Sequence, residues 1–361
     1  MPIHFDMSRM EKAKALYEAW WNGESDRDIV QMTIGGAYSD ERSPKVPTLS
    51  QENCADFSIP PEDIIEAYDI ALSKNEYLGA AYPYISFDCF GPGVLAAFCG
   101  GVLDNSSGRV WFFPPEHMTE STPLSELSIR YDPENRYVRR IKELYAAGMK
   151  RWNGLVIMGM PDLGGVMDVV ASMVTSERLL YSLIDEPDEV ERLVLEAEKA
   201  WYDAYFDLAE VLKPQRGFTD WNGLLSVTPA YIIQCDFCYM LGSDMFRRFV
   251  LPTLRRDTER LTHTIYHLDG VGELTHLDDV LSLERLAAVQ WVYGTGKPKA
   301  AHWLDVYRKI SAAGKRAMVI DGPEEYYAVA KEIKTPLYVR YWLPPEREDE
   351  AKRLISYSES R

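Results

Sequence analysis

The sequence has no long hydrophobic run. No window approaches the roughly 18 consecutive apolar residues of a membrane-spanning helix, and the most apolar stretch, residues 94–103, contains two glycines. The first ten residues mix polar and apolar side chains, so we expect no signal peptide there. These features predict a protein with no membrane partner.

The sequence is also poor in basic residues and in cysteine. Its 39 lysines and arginines face 56 acidic residues, which gives a formal net charge of −17. Nucleic-acid binding needs a basic surface that displaces counterions from phosphates, so this balance argues against a nucleic-acid partner. Five cysteines in 361 residues are an odd number, which fits a reducing compartment better than a disulfide scaffold. We therefore predict a cytoplasmic location.

Internal repeats, low-complexity tracts and linkers are absent from the sequence, and 46% of the residues are apolar. We predict a single domain over residues 1–361. Beyond about residue 150, short β-type runs alternate with amphipathic helices, which is typical of a parallel sheet wound with crossovers. The predicted strands are 154–158, 217–221, 264–268, 287–291, 316–320 and 336–341. The predicted helices cover 7–21 and 243–250, and others begin after Thr175, at Pro187 and at Pro229.

Polar and aromatic side chains follow most of these predicted strands. In parallel α/β barrels the loops at the carboxyl ends of the strands converge on one mouth, where catalytic groups collect. Strand ends are also polar simply because the chain leaves the core there. On the first interpretation the substrate-binding candidates are Trp221, Asn222, Tyr293, Asp321 and Tyr341.

The segment His267-Leu268-Asp269-Gly270 is the sharpest local signal. Residues i and i+2 of a strand point to the same side, so His267 and Asp269 can address one ligand together. The pair can act as general acid and base or can bind a divalent cation, and Glu273 follows closely. The alternative is an orienting hydrogen bond between a core histidine and an aspartate that forms a turn.

Cys235-Asp236-Phe237-Cys238 is a CxxC motif without a second cysteine pair. Zinc sites and thioredoxin-like redox sites both need further context that the sequence does not supply. Small buried cysteines also pack well between secondary-structure elements. Packing is the favoured interpretation of Cys235 and Cys238, and a partial metal site shared with His267 is the other.

Three groups of segments together resemble the uroporphyrinogen decarboxylase superfamily. They are 176–180 with 185–190; 221–226 with Asp236 and 245–252; and 267–270 with 289–291 and 294–298. The resemblance covers residues 88–342. It implies a single (β/α)₈ TIM-type barrel, with an N-terminal helical or irregular extension, and an enzyme.

That superfamily contains two chemistries. One branch decarboxylates the acetate arms of uroporphyrinogen without a cofactor, and the position of Asp88 resembles that of its catalytic aspartate. The sequence lacks the branch's arginine-bearing N-terminal motif, and no histidine follows His302, so the late Gly-His-Gly motif is absent too. A macrocycle with eight carboxylates needs cationic contacts. A porphyrinogen-type decarboxylase is therefore the alternative, followed by a non-catalytic barrel that binds a tetrapyrrole or a partner.

The other branch comprises methyltransferases that use corrinoid proteins, thiols and folates, often with zinc. Their zinc ligands include His-x-Cys and a later cysteine, whereas here Asp269 occupies the x+2 position and no cysteine follows Cys238. The sequence resembles this branch more closely. The resemblance implies a methyltransferase, monomeric or homodimeric, that moves a one-carbon group between a small methylated substrate and a corrinoid protein or tetrahydrofolate. His267 and Asp269 handle the proton or a metal such as zinc, and Asp236 shapes the pocket.

Overall fold

The computed structural model describes residues 2–361, so Met1 of the predicted 1–361 domain lies outside the described residues. The helices α1 to α13 are Met7–Trp21, Pro61–Ser73, Leu95–Phe98, Arg136–Trp152, Val166–Val174, Ser176–Asp185, Pro187–Leu212, Ser243–Met245, Leu251–Arg260, Leu277–Leu281, Leu304–Ala312, Pro323–Glu332 and Glu348–Glu359. The strands β1 to β11 are Ile29–Ile34, Glu76–Gly79, Tyr84–Ser86, Val102–Asp104, Trp111–Phe113, Ile157–Gly159, Ala230–Gln234, His263–Asp269, Ala288–Val292, Arg316–Met318 and Leu337–Leu343.

Most of the strands form one parallel sheet. Its seven strands run in the order β2-β1-β11-β10-β9-β8-β7, and each neighbouring pair is parallel except β2 with β1. A second sheet pairs β3 with β6 in parallel, and β4 and β5 form an antiparallel hairpin. The predicted mixed α/β fold with a parallel sheet is confirmed. None of the helices among residues 2–361 combines the length and apolar character that crossing a membrane requires.

Local sequence signals account for several helices. Helix α1 spans 7–21 as predicted, and the Asp6 side chain accepts a hydrogen bond from the Ser8 amide at its start. The Thr175 side chain caps α6 by accepting from the Arg178 amide, and α7 begins at Pro187, whose missing N–H costs nothing at that position.

Three predicted elements differ from the structure. The segment after Thr228-Pro229 is the strand β7, because its β-branched residues are buried on both faces and pair with β8. The predicted helix 243–250 does not stop before Pro252. It passes through a π-turn, Phe246–Val250, into α9, whose first turn tolerates the proline. Residues 217–221 form only an isolated bridge, Phe218 to Ser226.

Two apolar layers cover the sheet. The larger packs the outward side chains of the strands against the helices. The smaller layer joins side chains on the opposite face of seven strands, one of them β6 of the second sheet, with Tyr17, Trp20 and Trp21 of α1. We call the strand face that packs on α1 the inward face. Those inward residues are Ile29, Ile157, Ile232, Ile265, Ala288, Met318 and Tyr338. Because side chains alternate along a strand, the residues two and four positions further on point inward beyond this apolar layer.

Candidate functional site

Inward polar residues lie in one row across three neighbouring strands. Gln234 of β7 is in register with His267 of β8, which is in register with Gln290 of β9. Each follows an inward apolar residue of the smaller core by two positions. The row therefore lies next to that core on its carboxyl-terminal side, and the strand-end prediction for His267 agrees with this position.

Gln290 determines which nitrogen of His267 carries the proton. The Gln290 amide nitrogen points to the Met318 sulfur at 3.0 Å, so its carbonyl oxygen faces His267 Nδ1. The Nδ1–H group donates to that oxygen, which leaves the Nε2 lone pair free. The Trp221 ring meets the imidazole edge to face, with 5.1 Å between ring centroids. Burial lowers the pKa of His267, so its neutral form is favoured.

The free Nε2 of His267 faces two carboxylates. It lies 3.9 Å from Asp269 Oδ2, and one ligand atom each from Asp236, His267 and Asp269 lie within 4.8 Å of one another. We call these three residues the triad. Asp236 is reached by solvent but is otherwise surrounded by protein, and this enclosure together with the charge of Asp269 raises its pKa to about 6. The triad is thus a concentration of negative charge beside a neutral imidazole.

Further buried carboxylates surround the triad. Burial, with smaller contributions from neighbouring carboxylates, raises the pKa of Asp162 to about 8 and that of Asp168 to about 7. Burial also raises the pKa of Asp220 to about 7. Neighbouring carboxyl groups with raised pKa values are typical of functional sites. Asp162 follows a predicted strand, but Asp168 lies in the first turn of α5 and no local sequence pattern pointed to it.

Asp168 anchors the loop that carries Asp236. One carboxylate oxygen accepts from the Phe237 amide at 2.7 Å, and the other accepts from the amides of Asp236 and Gly165, both at 3.1 Å. Two of these hydrogen bonds fix the start of the loop, and the one from Gly165 caps α5, which carries Asp168. Asp168 is therefore a positioning residue for the triad.

Glu273 lies behind the triad. Its side chain has no solvent exposure, and its Oε2 accepts from the Asp269 amide at 3.1 Å. Burial raises the pKa of Glu273 to about 11, so the carboxyl group is protonated at neutral pH. Its second oxygen has no hydrogen-bond partner. The structure brings Glu273 to the backbone of Asp269, where it positions the triad from behind.

A cavity of about 550 Å³ opens beside the triad. Its lining includes Asp236, Gln234 and Asp168, together with the strand β5 of the β4–β5 hairpin. The aromatic residues of its lining are Trp111, Phe112, Phe113 and Phe237. A cavity of this size with few polar groups and shifted carboxyl groups is the expected form of a small-molecule site. Of the predicted site residues, only Asp236 lines it.

The other predicted substrate-binding residues are more dispersed. Asn222 is buried in a turn in which its side chain accepts from the Leu224 amide. Tyr293 donates to Asp321 as a separate pair after β9 and β10. Tyr341 lies on the outward side of β11 in the larger core, with its hydroxyl donating to Val319 O. The structure therefore does not bring Tyr341 to the triad, because strand alternation turns its neighbour Arg340 inward instead.

Asp88 and the two motif cysteines also lie apart from the triad. Asp88 is exposed and accepts from Ser86 Oγ at 2.8 Å, although its charge contributes to the raised pKa of Asp162. Cys235 and Cys238 are buried in the larger core, and burial raises the pKa of Cys235. Within residues 2–361 the group suited to a cation contains neither thiol, so the packing interpretation of the cysteines is the one that the geometry favours.

Comparison with known proteins gives a fold likeness and no sequence family. No protein-family model matches the chain, and no curated protein matches it. Among solved structures, the fold is similar to a methyltransferase from Methanosarcina mazei, with a TM-score of 0.56 and 13% sequence identity. The alignment covers 96% of this chain and 98% of that one. At this identity the likeness establishes a shared fold over nearly the whole length of both chains.

Proposed function

We propose that this protein is a methyltransferase that moves a one-carbon group between a small methylated substrate and a corrinoid protein or tetrahydrofolate. The fold likeness to a methyltransferase over 96% of the chain carries the proposal. The triad supports it, because polar and titratable groups beyond the inward apolar layer are where enzymes of this architecture keep their chemistry.

We also propose that the strands close into a single (β/α)₈-type barrel. Segment 217–222 bridges the two parallel sheets: the Met160 amide donates to Thr219 O at 2.8 Å, and Asp220 Oδ2 accepts from the Ile232 amide at 2.7 Å. The smaller core supports closure from within, since it contains inward residues of seven strands with α1 packed against them. The superfamily resemblance of the sequence implies the same architecture.

The residues of the triad suit methyl transfer. The methyl group moves as a cation equivalent: the acceptor supplies the electron pair of the new bond, and the leaving heteroatom keeps the pair of the broken bond. His267 Nε2 is a free base that can take the proton of a thiol acceptor or return one to the leaving group. Trp221 holds the imidazole plane, and Asp236 and Asp269 stabilise positive charge beside it.

The positive charge at the triad can come from a divalent ion or from the substrate. One imidazole and two carboxylates form a hard donor set that fits a divalent metal ion, zinc among them. A zinc–thiolate centre does not fit, because Cys235 and Cys238 lie in the larger core. Bound there, the ion would supply Lewis-acid polarisation of the leaving heteroatom.

The geometry counts against the decarboxylase alternative. Uroporphyrinogen presents eight carboxylates, whereas the cavity is lined by the acidic residues Asp168 and Asp236, and Arg109 is the only cationic side chain of its lining. Repulsion between the carboxylates of the substrate and those of the cavity opposes binding. Asp88, the residue implied for that chemistry, accepts a hydrogen bond at the exposed end of β3.

Methyl transfer can be followed directly in the corrin spectrum. The protein is mixed with methylcobalamin or methyltetrahydrofolate and a panel of thiol, amine and hydroxyl acceptors, and in the reverse direction with methylated donors and reduced cobalamin. We expect turnover with at least one pair and its loss in His267→Ala. No turnover with any pair, combined with tight tetrapyrrole binding, would instead identify a non-catalytic binding protein.

A further inference from the structure

The cavity beside the triad has an unusual distribution of charge. Asp168 and Asp236 contribute carboxylates, and Arg109 is the only cationic side chain of the lining. Across residues 2–361, no hydrogen bond, ion pair or ring contact involves the Arg109 guanidinium. An acidic floor and one unpaired arginine in the same cavity are complementary to a ligand that carries both signs of charge.

The walls add a second feature. Trp111, Phe112, Phe113 and Phe237 line the cavity, and Trp111 and Phe113 are 57% and 49% exposed. Large aromatic side chains left open around a recess mark a ligand site. Aromatic faces combined with carboxylates are the usual means of recognising methylated ammonium groups, because the ring quadrupole attracts a cation that cannot donate strong hydrogen bonds.

Gln234 points independently to a ligand. Its side chain is 5% exposed and lines the cavity, yet its Oε1 is buried without a hydrogen-bond partner. An unpaired buried acceptor costs about 1–3 kcal/mol, so it calls for a positive or donor group in the cavity. A methylated ammonium supplies polarised C–H groups, or an N–H where it is protonated.

Two ligand atoms of the triad are more widely spaced than those around a bound zinc ion. His267 Nε2 and Asp269 Oδ2 lie 3.9 Å apart. Zinc bonds of about 2.0–2.2 Å in a tetrahedron bring adjacent ligand atoms to roughly 3.4 Å. A zinc ion would therefore have to draw His267 and Asp269 together, whereas a cation in the cavity meets the triad only at Asp236.

We propose that the cavity binds an N-methylated zwitterion, with its methylated ammonium between the aromatic walls and the carboxylates of Asp168 and Asp236, and its carboxylate on Arg109. This inference rests on the proposed function, for which it names the class of methyl donor. One N–C bond of the donor breaks and the amine nitrogen keeps the electron pair. The nucleophile of the corrinoid or folate co-substrate supplies the pair for the new bond, and with a folate the proton that its nitrogen loses passes to the released amine.

Binding of three matched probes to the purified protein, without any methyl acceptor, tests the proposal by calorimetry. The probes are N,N,N-trimethylglycine, choline, which lacks the carboxylate, and 3,3-dimethylbutanoate, which replaces the charged nitrogen with carbon. We expect trimethylglycine to bind at least tenfold more tightly than either analogue. Equal affinity for 3,3-dimethylbutanoate, or no binding of trimethylglycine, overturns the proposal.

Variants separate the two ends of the ligand. We expect Phe113→Ala to weaken the binding of both trimethylglycine and choline several-fold. We expect Arg109→Gln to weaken the binding of trimethylglycine only. The matched controls are Phe206→Ala, an exposed phenylalanine on α7, and Arg27→Gln, an exposed arginine before β1. Equal effects of cavity and control variants contradict the assignment. Melting temperatures of all four variants verify that each is folded.

Two further outcomes distinguish this proposal from the one on which it rests. Stoichiometric zinc that requires Asp236 and excludes trimethylglycine assigns the triad to a metal ion and overturns the inference. Trimethylglycine binding without methyl transfer to any corrinoid or folate supports the inference and contradicts the methyltransferase proposal. Methyl transfer from a neutral donor, with no zwitterion binding, contradicts the inference and supports the methyltransferase proposal.

Discussion

Asp162 makes the stability of this fold depend on pH in a way that one substitution removes. The residue is 9% exposed, and its Oδ1 accepts from the Gly164 amide at 2.9 Å and faces the Gln234 amide group at 3.5 Å. Burial, which opposes the charged form, and the neighbouring carboxylates raise its pKa from 3.8 to about 8. In Asp162→Asn the amide oxygen can still accept from Gly164, but no charge can form.

Proton linkage gives the direction in which the free energy of unfolding changes with pH. Between about pH 4 and pH 8 the folded state holds a proton that the unfolded state has released, so the free energy of unfolding of the wild type falls as pH rises through this window. One pH unit of difference is worth about 1.4 kcal/mol. Over a window of about four units, the wild type therefore loses on the order of 5 kcal/mol of its free energy of unfolding by pH 8. The asparagine variant avoids this loss.

Denaturant unfolding of both proteins at pH 5, 7 and 9 measures this difference. We expect an advantage of Asp162→Asn of about 1–2 kcal/mol at pH 5, which grows towards pH 9. Asp185→Asn, which changes an exposed carboxylate at the end of α6, is the control and should run parallel to the wild type. Parallel curves for Asp162→Asn as well would refute the buried-carboxylate account of this site.

Other predictions concern the supports of the site and fold. Asp168→Ala leaves three backbone amides without their acceptor. We expect a loss of about 3 kcal/mol, with Asp168→Asn retaining part of the stability in the same unfolding assay. Gly223→Ala would place its Cβ 2.6 Å from Arg340 Nη1 at a φ of +79°. It should lower the melting temperature more than Gly296→Ala, where φ is +75° but the space is open; equal losses would exclude crowding as the cause. Asp28→Ala removes the acceptor shared by Tyr326, Arg361 and the Leu337 amide. We expect it to cost about 3–5 kcal/mol, and a loss below 1 kcal/mol in denaturant unfolding would contradict that role.

Local patterns in the sequence predicted the elements whose signals are local. Helix α1, the Thr175 cap and the strands β8 to β11 follow from periodicity and capping residues, with ends shifted by a few positions. The helix predicted after Thr228-Pro229 was wrong, since a Thr-Pro start also suits a strand. Only the pairing of β7 with β8 decides between the two.

The site was predictable in part for the same reason. His267 and Asp269 share a strand, so their common orientation follows from spacing alone. Asp168 and the aromatic hairpin reach the cavity from α5 and from β4–β5, far from the triad along the chain. No local pattern reports such tertiary proximity. Tyr341 illustrates the sensitivity of these predictions: a shift of one position along β11 moves a side chain from the interior to the outer core.

Methyl transfer at the triad can be followed directly in the corrin spectrum. Reduced cobalamin is mixed with trimethylglycine, or with the wider donor panel, and with wild type, His267→Ala or Asp236→Asn. We expect the wild type to convert reduced cobalamin to methylcobalamin, and either substitution to lower the rate at least a hundredfold. Wild-type rates in both variants, or no methylcobalamin with any donor, would contradict methyl transfer at the triad.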